Sequence, residues 1–246
     1  NLTFTPAADA NGSPYATFTF QVEDDGGTAG GGANLDPTAN VLTINVTAAN
    51  DAPVIFIYPD LAAWETWEDT TGTLPAGALS FSDVDAGSGV VHTTMTVVNG
   101  TVSLNPAALG GLTFSTGDGT DDSEMVFTST LAALNAAAAN STFKPPANFV
   151  GEATITITVN DQGNTPAPPQ STTGVVHIPV TSVNDAPAGT DKTVTTAEDT
   201  AYVFAAADFG FTDADDNPAN AFSRVKIASL PAAGALKLSG AAVAAG

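Results

Sequence analysis

A chain of 246 residues is long enough for two or three ordinary domains, and its 26 acidic side chains face only 5 basic ones. Such a surface repels nucleic acid and anionic lipid, which are bound through Lys and Arg, so neither nucleic-acid binding nor membrane insertion is expected. The absence of cysteine excludes a disulfide framework and a thiolate metal site, and no stretch approaches the length of a membrane-spanning helix.

Strand patterns dominate in chain order. ATFTFQVED (16–24), NVLTINVTA (40–48), TTMTVV (93–98), TVSLN (101–105), ATITITVND (153–161) and GVVHIPVTSV (174–183) alternate apolar, often β-branched or aromatic, residues with polar ones. That is the period of a sheet with one buried face. GGTAGGG (26–32) reads as a loop. Asn99-Gly100 between two such runs predicts a hairpin, because both residues tolerate positive φ. STGDGTDDSE (115–124) lacks the spacing of an EF-hand and reads as a solvated hairpin tip. STLAALNAAAAN (129–140) departs from the pattern. It predicts a short helix capped by Ser129, with Leu131 and Leu134 on one face. The expected fold class is therefore all-β: tandem Ig-like or cadherin-like β-sandwich modules, one complete and two partial.

Internal repetition supports the modular reading. ANDAP (49–53) recurs as VNDAP (183–187), WEDTTG (67–72) as AEDTAY (197–202), and FSDVDAG (81–87) as FTDADDN (211–217). The spacing Asp69–Asp83 equals the spacing Asp199–Asp213, 14 residues in each. Upstream, QVEDDGG (21–27) matches TVNDQGN (158–164), and FTPAADANG (4–12) matches FKPPANFVG (143–151). This order predicts the C-terminal half of a unit at 1–51, a complete unit at 52–186, and the N-terminal half of another at 187–246. The opening NLTFTPAADA carries no secretory signal pattern, as expected of a piece from a longer array.

Acidic residues gather where these units meet. Ca²⁺ takes six to eight oxygen ligands from carboxylates, Asn side chains and carbonyls. At the first junction the expected metal ligands are Asn50, Asp51, Glu68, Asp69, Asp83 and Asp85. At the second they are Asn184, Asp185, Glu198, Asp199, Asp213 and Asp215, with Asp216 nearby. Asx residues at strand ends also cap turns through the backbone. The Asn-Asp pairs are open to either reading, whereas the DVD and DAD pairs favour metal. Asp24 and Asp161, each near a glycine turn, lean toward turn formation.

NDAP after a strand, then a Glu-containing loop, then DxD, resembles the calcium linker of cadherin repeats. FTPAADANG…FQVEDDGG…NVLTINVTAANDAP and AEDTAYVFAAADFGFTDADD…ASLPAAGALKLSG resemble tandem cadherin-like repeats of giant bacterial surface proteins and RTX-type adhesins. The resemblance implies Ig-like sandwiches strung into a stalk at the bacterial cell surface, with Ca²⁺ between modules and neighbouring repeats as partners. It departs from the full cadherin linker, which carries more acids than ANDAP.

An enzyme is not expected. His92 and His177 lie in strand-like runs, and no nucleophile elbow or phosphate loop occurs. Three roles stay open. One is a calcium-stiffened spacer serving cell adhesion; a second is a filament or sheath subunit whose half-domains are completed by neighbouring copies. The third is a carbohydrate-binding module using Trp64 and Trp67 on a polysaccharide target, although those residues read first as packing against the neighbouring module.

Overall fold

In the computed structural model, residues 1–58, 64, 66–164 and 168–246 are described. The strands are β1 (Gly12–Phe20), β2 (Asn40–Val46), β3 (Val54–Ile57), β4 (Thr66–Trp67), β5 (Gly72–Thr73), β6 (Leu79–Ser82), β7 (Val90–Val98) and β8 (Thr101–Ser103). They continue with β9 (Leu112–Thr116), β10 (Glu124–Thr130), β11 (Thr142–Lys144), β12 (Gly151–Asn160), β13 (Ser171–Thr181), β14 (Lys237–Leu238) and β15 (Ala241–Ala242). One α-helix, α1 (Leu131–Ala138), follows β10 directly.

The complete unit is a sandwich. A six-stranded sheet runs β4–β13–β12–β7–β10–β9, and the strands β5–β11–β8 and the pair β3–β6 form the smaller sheets. Period-two alternation places Ile155, Ile157 and Val159 of β12, Val176 and Ile178 of β13, and Met95 of β7 in one core. Phe81, Val102 and Phe143 from the smaller sheets, with Leu104 just after β8, join the same core. All its buried apolar residues fall between Leu74 and Val180. A fully buried side chain of this size contributes about 1.5–3 kcal/mol, so the apolar driving force is concentrated in the middle of the chain.

α1 forms because an alanine-rich run with high helix propensity is tied at both ends of its buried face. Its cap is Thr130, whose hydroxyl accepts from the Ala133 N–H; Ser129, the residue expected there, is the buried penultimate residue of β10. Asn135 accepts from the Phe81 N–H at 2.9 Å and donates to the Phe81 carbonyl at 2.8 Å, which locks the helix to β6. Leu131 and Leu134 are buried as expected.

Asn99-Gly100 is a turn but not a hairpin. Asn99 has φ 61°, yet β7 and β8 belong to different sheets, so the pair makes the corner between the sandwich layers. Gly100 is required for close approach: a Cβ there would stand 2.4 Å from the Phe143 ring. The 115–124 segment joins the antiparallel pair β9–β10 and is largely exposed, as expected of a solvated tip, with only Gly119 buried. Val102 bridges to Asp122, and the Asp122 carboxylate accepts from the Asp118 and Gly119 N–H groups.

The flanking regions carry less structure. β1 and β2 form an antiparallel ribbon alone. Residues 187–246 hold an isolated bridge Ala188–Thr212 and the short pair β14–β15. No helix among the described residues is long and apolar enough to cross a membrane.

Candidate metal centre

At the first seam, β2 leads into Asn50 and Asp51, and the loop after β6 brings Asp83 and Asp85 to meet them. The Asp51 N–H donates to Asp85 Oδ2 at 3.1 Å. Asp83 folds the DVD loop by accepting from the N–H groups of Asp85 and Ala86, both at 3.1 Å. Its other oxygen, Oδ2, is buried without a hydrogen-bond partner, as is Oδ1 of Asn50. Burial first, and then the adjacent Asp85 carboxyl, raise the Asp83 pKa above the ordinary carboxylate value. Asn50 donates to Asp161 Oδ2 at 2.6 Å. Asp161 does cap its turn, accepting from Gly163 N–H at 2.8 Å. It is also fully buried and accepts from Gln170 N–H, so it anchors this seam as well as its own loop.

At the second seam the grouping differs from the one the linear order suggests. β4 pairs in parallel with the end of β13, setting Thr66 and Trp67 beside Val180 and Thr181. That register carries Glu68 and Asp69 to the C-terminal pole of the complete unit, away from Asn50 and Asp51. Glu68 is fully buried, and its Oε1 accepts from Ser182 Oγ and Val183 N–H, each at 2.8 Å. Its Oε2 has no partner. Asp69, at φ 59°, accepts from Asn148 N–H at 3.0 Å, and Asn148 donates from its amide to Asp215 at 2.7 Å.

Asp185 lies between these groups. Its N–H donates to Asp216 Oδ1 at 2.7 Å, and its Oδ2 is buried and unpartnered. Burial, followed by the charges of Asp69, Glu68, Asp216 and Asp215, raises its pKa. Asp213 accepts from Asn220 N–H through Oδ2 at 2.7 Å and leaves Oδ1 buried without a donor. Asn184 accepts from the Asn220 amide at 3.0 Å. Glu198 and Asp199 do not join this seam: both are exposed in a turn of the last segment.

Asn148, Asn220 and Asp161 were missing from the expected ligand sets. Asn148 had a sequence signal in its place in the KPPAN loop that repeats TPAAD (5–9), and Asp161 had one in the glycine turn that repeats QVEDDGG, where turn formation was the favoured reading. Trp64 packs on its own unit, against the core; a Cβ at Gly72 would stand 2.7 Å from its ring. Trp67, by contrast, is 43 % exposed. Ala62, Ala63 and Glu65 of that stretch lie outside the described residues.

The donors at both seams are hard oxygens, which suit Ca²⁺ or Mg²⁺ over softer metals. Ionised carboxylate oxygens buried without donors are costly unless a cation or proton meets them. Among the described residues no three His, Cys, Asp or Glu stand together as a ready metal cluster. A cation would therefore draw on Asn and carbonyl oxygens and pull the carboxylates inward. The orphaned oxygens fit that requirement.

No family model matches the sequence, and no curated protein matches it. Among solved structures, the extracellular cadherin domains 3–6 of protocadherin gamma B2 align with 65% of this chain and 33% of that one, at 20% identity and a TM-score of 0.32. The protocadherin gammaB7 EC3–6 cis-dimer structure aligns with 63% of this chain and 32% of that one, at 17% identity and a TM-score of 0.28. The chain thus matches about a third of the length of each.

Proposed function

We propose that this chain is a structural repeat of a large extracellular surface protein, stiffened by Ca²⁺ at its seams and serving to extend or assemble that protein for cell adhesion. The observation that carries the reading is at the second seam. Glu68 Oε2, Asp185 Oδ2 and Asp213 Oδ1 come from three separate segments, and each is buried with no donor. A cation shared among them turns mutual repulsion into coordination, which holds one unit against the next. The residues that would hold it are Glu68, Asp69, Asp185, Asp213 and Asp215, with Asn50, Asp51, Asp83 and Asp85 as the set at the first seam.

Extracellular calcium modules bind with dissociation constants on the order of 10⁻⁴ to 10⁻³ M. Titration calorimetry is expected to find that range for the whole chain, and small-angle scattering to find a longer, stiffer particle in calcium than in chelator. Glu68→Gln keeps the shape and removes the charge, and is expected to abolish most of that lengthening. A parent chain whose scattering is identical in calcium and in chelator would refute the reading.

A further inference from the structure

β3 reads unlike the other strands of the complete unit. Residues 54–58, Val-Ile-Phe-Ile-Tyr, are apolar without interruption, the pattern of a strand covered on both faces. The structure covers one of them. Ile55 and Ile57 turn inward and pack against the core, so close to β13 that a Cβ at Gly174 would stand 3.0 Å from Ile57 and 3.2 Å from Ile55. Val54, Phe56 and Tyr58 turn outward and stay 56 %, 50 % and 45 % exposed. The Tyr58 N–H still donates to the Ala78 carbonyl at 2.9 Å, so the whole row is held on one ladder. Across that ladder, β6 sets Ser82 opposite Val54 and Ser80 opposite Phe56, and both serines are exposed.

The repeat supplies an internal control. Counting on from ANDAP and VNDAP puts Val54 in register with Ala188, Phe56 with Thr190 and Tyr58 with Lys192. The last segment keeps the first two placements. Ala188 bridges to Thr212 as Val54 pairs with Ser82, and a Cβ at Gly210, the counterpart of Ser80, would collide with Thr190. The outward positions of this strand therefore carry alanine, threonine and lysine in one unit and valine, phenylalanine and tyrosine in the other. Folding alone does not demand the aromatic row.

Size and charge narrow the choice of occupant. A large aromatic side chain offers about 150–250 Å², so three half-exposed side chains offer roughly 300 Å², against ~800 Å² per partner in a stable protein interface. The row is too small to hold a second copy by itself. Residues 54–58 and 78–82 carry no charged side chain, in a chain of formal net charge −21. The rest of the surface repels an anionic partner and draws a cationic one to the acidic seams instead. A neutral partner with flat apolar faces rimmed by hydroxyls matches two aromatic rings beside two serine hydroxyls. We propose that the β3–β6 ribbon binds a neutral oligosaccharide. Phe56 and Tyr58 stack on the apolar faces of its sugars, and Ser80 and Ser82 hydrogen-bond its hydroxyls. Neighbours on one face of a strand stand about 6.8 Å apart, which sets the two aromatic rings under adjacent sugars of one chain.

The full chain is titrated in chelator with cellohexaose and, separately, with chitohexaose, and the amide resonances of residues 54–58 and 79–82 are followed. Saturable shifts are expected with at least one of these sugars, and none with alginate, a polyanion. Phe56→Thr with Tyr58→Lys installs the residues of the last segment. It is expected to weaken binding about ten-fold or more while the thermal unfolding midpoint stays unchanged. Trp67→Ala, off the ribbon, is expected to leave binding as it is. Absence of shifts with both neutral sugars overturns the proposal, as does binding that survives the double variant or is lost with Trp67→Ala. Self-association in sedimentation that the double variant removes also overturns it, because the row then belongs to a second copy. The titration is read without calcium, so its failure is separate from failure of the calcium reading.

Discussion

β12–β13 and β1–β2 are two renderings of one pattern with opposite fates. Both are antiparallel ribbons of alternating apolar residues, and both end in an NDAP sequence at a seam. In the first, the apolar row is sealed by β7 and the smaller sheets; in the second, Phe18, Phe20 and Leu42 keep substantial exposure. The strand pattern therefore specifies the local ribbon, while burial depends on whether the matching half of a sandwich is at hand. An isolated two-stranded ribbon is marginal in water, and large exposed apolar rows mark interaction surfaces.

The largest test of that contrast is a matched truncation. Ile157→Ala is expected to cost the complete unit about 2–5 kcal/mol in urea unfolding, as large-to-small core changes do. Phe20→Ala in dilute protein is expected to stay within about 0.5 kcal/mol, the range of surface substitutions. Equal losses would mean that β1 is already part of a core.

The seams allow a second contrast. At a calcium level of 100 times the dissociation constant, binding to the folded state adds about 2.7 kcal/mol. Glu68→Gln is expected to remove most of this thermal stabilisation, and the pair Asp83→Ala with Asp85→Ala a smaller part, because the first seam lacks a buried Glu. In dilute protein Glu198→Gln is expected to leave it unchanged. Scanning calorimetry with and without calcium ranks the three.

The smallest expected effect lies in the last segment. Lys192 donates to Asp208 at 2.5 Å, and this hydrogen bond, with the Ala205 N–H, lowers the Asp208 pKa to about 2. A carboxylate depressed in the folded state contributes stability above its unfolded pKa, and that contribution fades as pH falls through the folded value. Between about pH 4 and pH 2 the amides of residues 190–209 are expected to lose exchange protection. Lys192→Ala is expected to remove this pH step at modest cost, since exposed ion pairs contribute little.

Much was legible in the residues themselves. Alternation located β1, β2, β7, β8, β12 and β13 to within a few positions, because burial on one face forces a period of two. The alanine run announced α1, and the acidic pentapeptides marked the seams. The short strands β4, β5 and β11 were not legible, since two or three residues carry no period. The sheet corner at Asn99-Gly100 was read as a hairpin because a positive-φ turn says nothing about which sheet the next strand enters.

Sequence alone thus determined the strand periodicity, the repeat, the acidic and cysteine-free chemistry, and which residue types gather at the junctions. Tertiary structure decided which carboxylates share a seam. The parallel pairing of β4 with β13 moves Glu68 and Asp69 the length of the sandwich, from the start of their unit to its far pole. That pairing joins residues over a hundred positions apart, and its energy comes from a ladder and a core that exist only once the chain has folded.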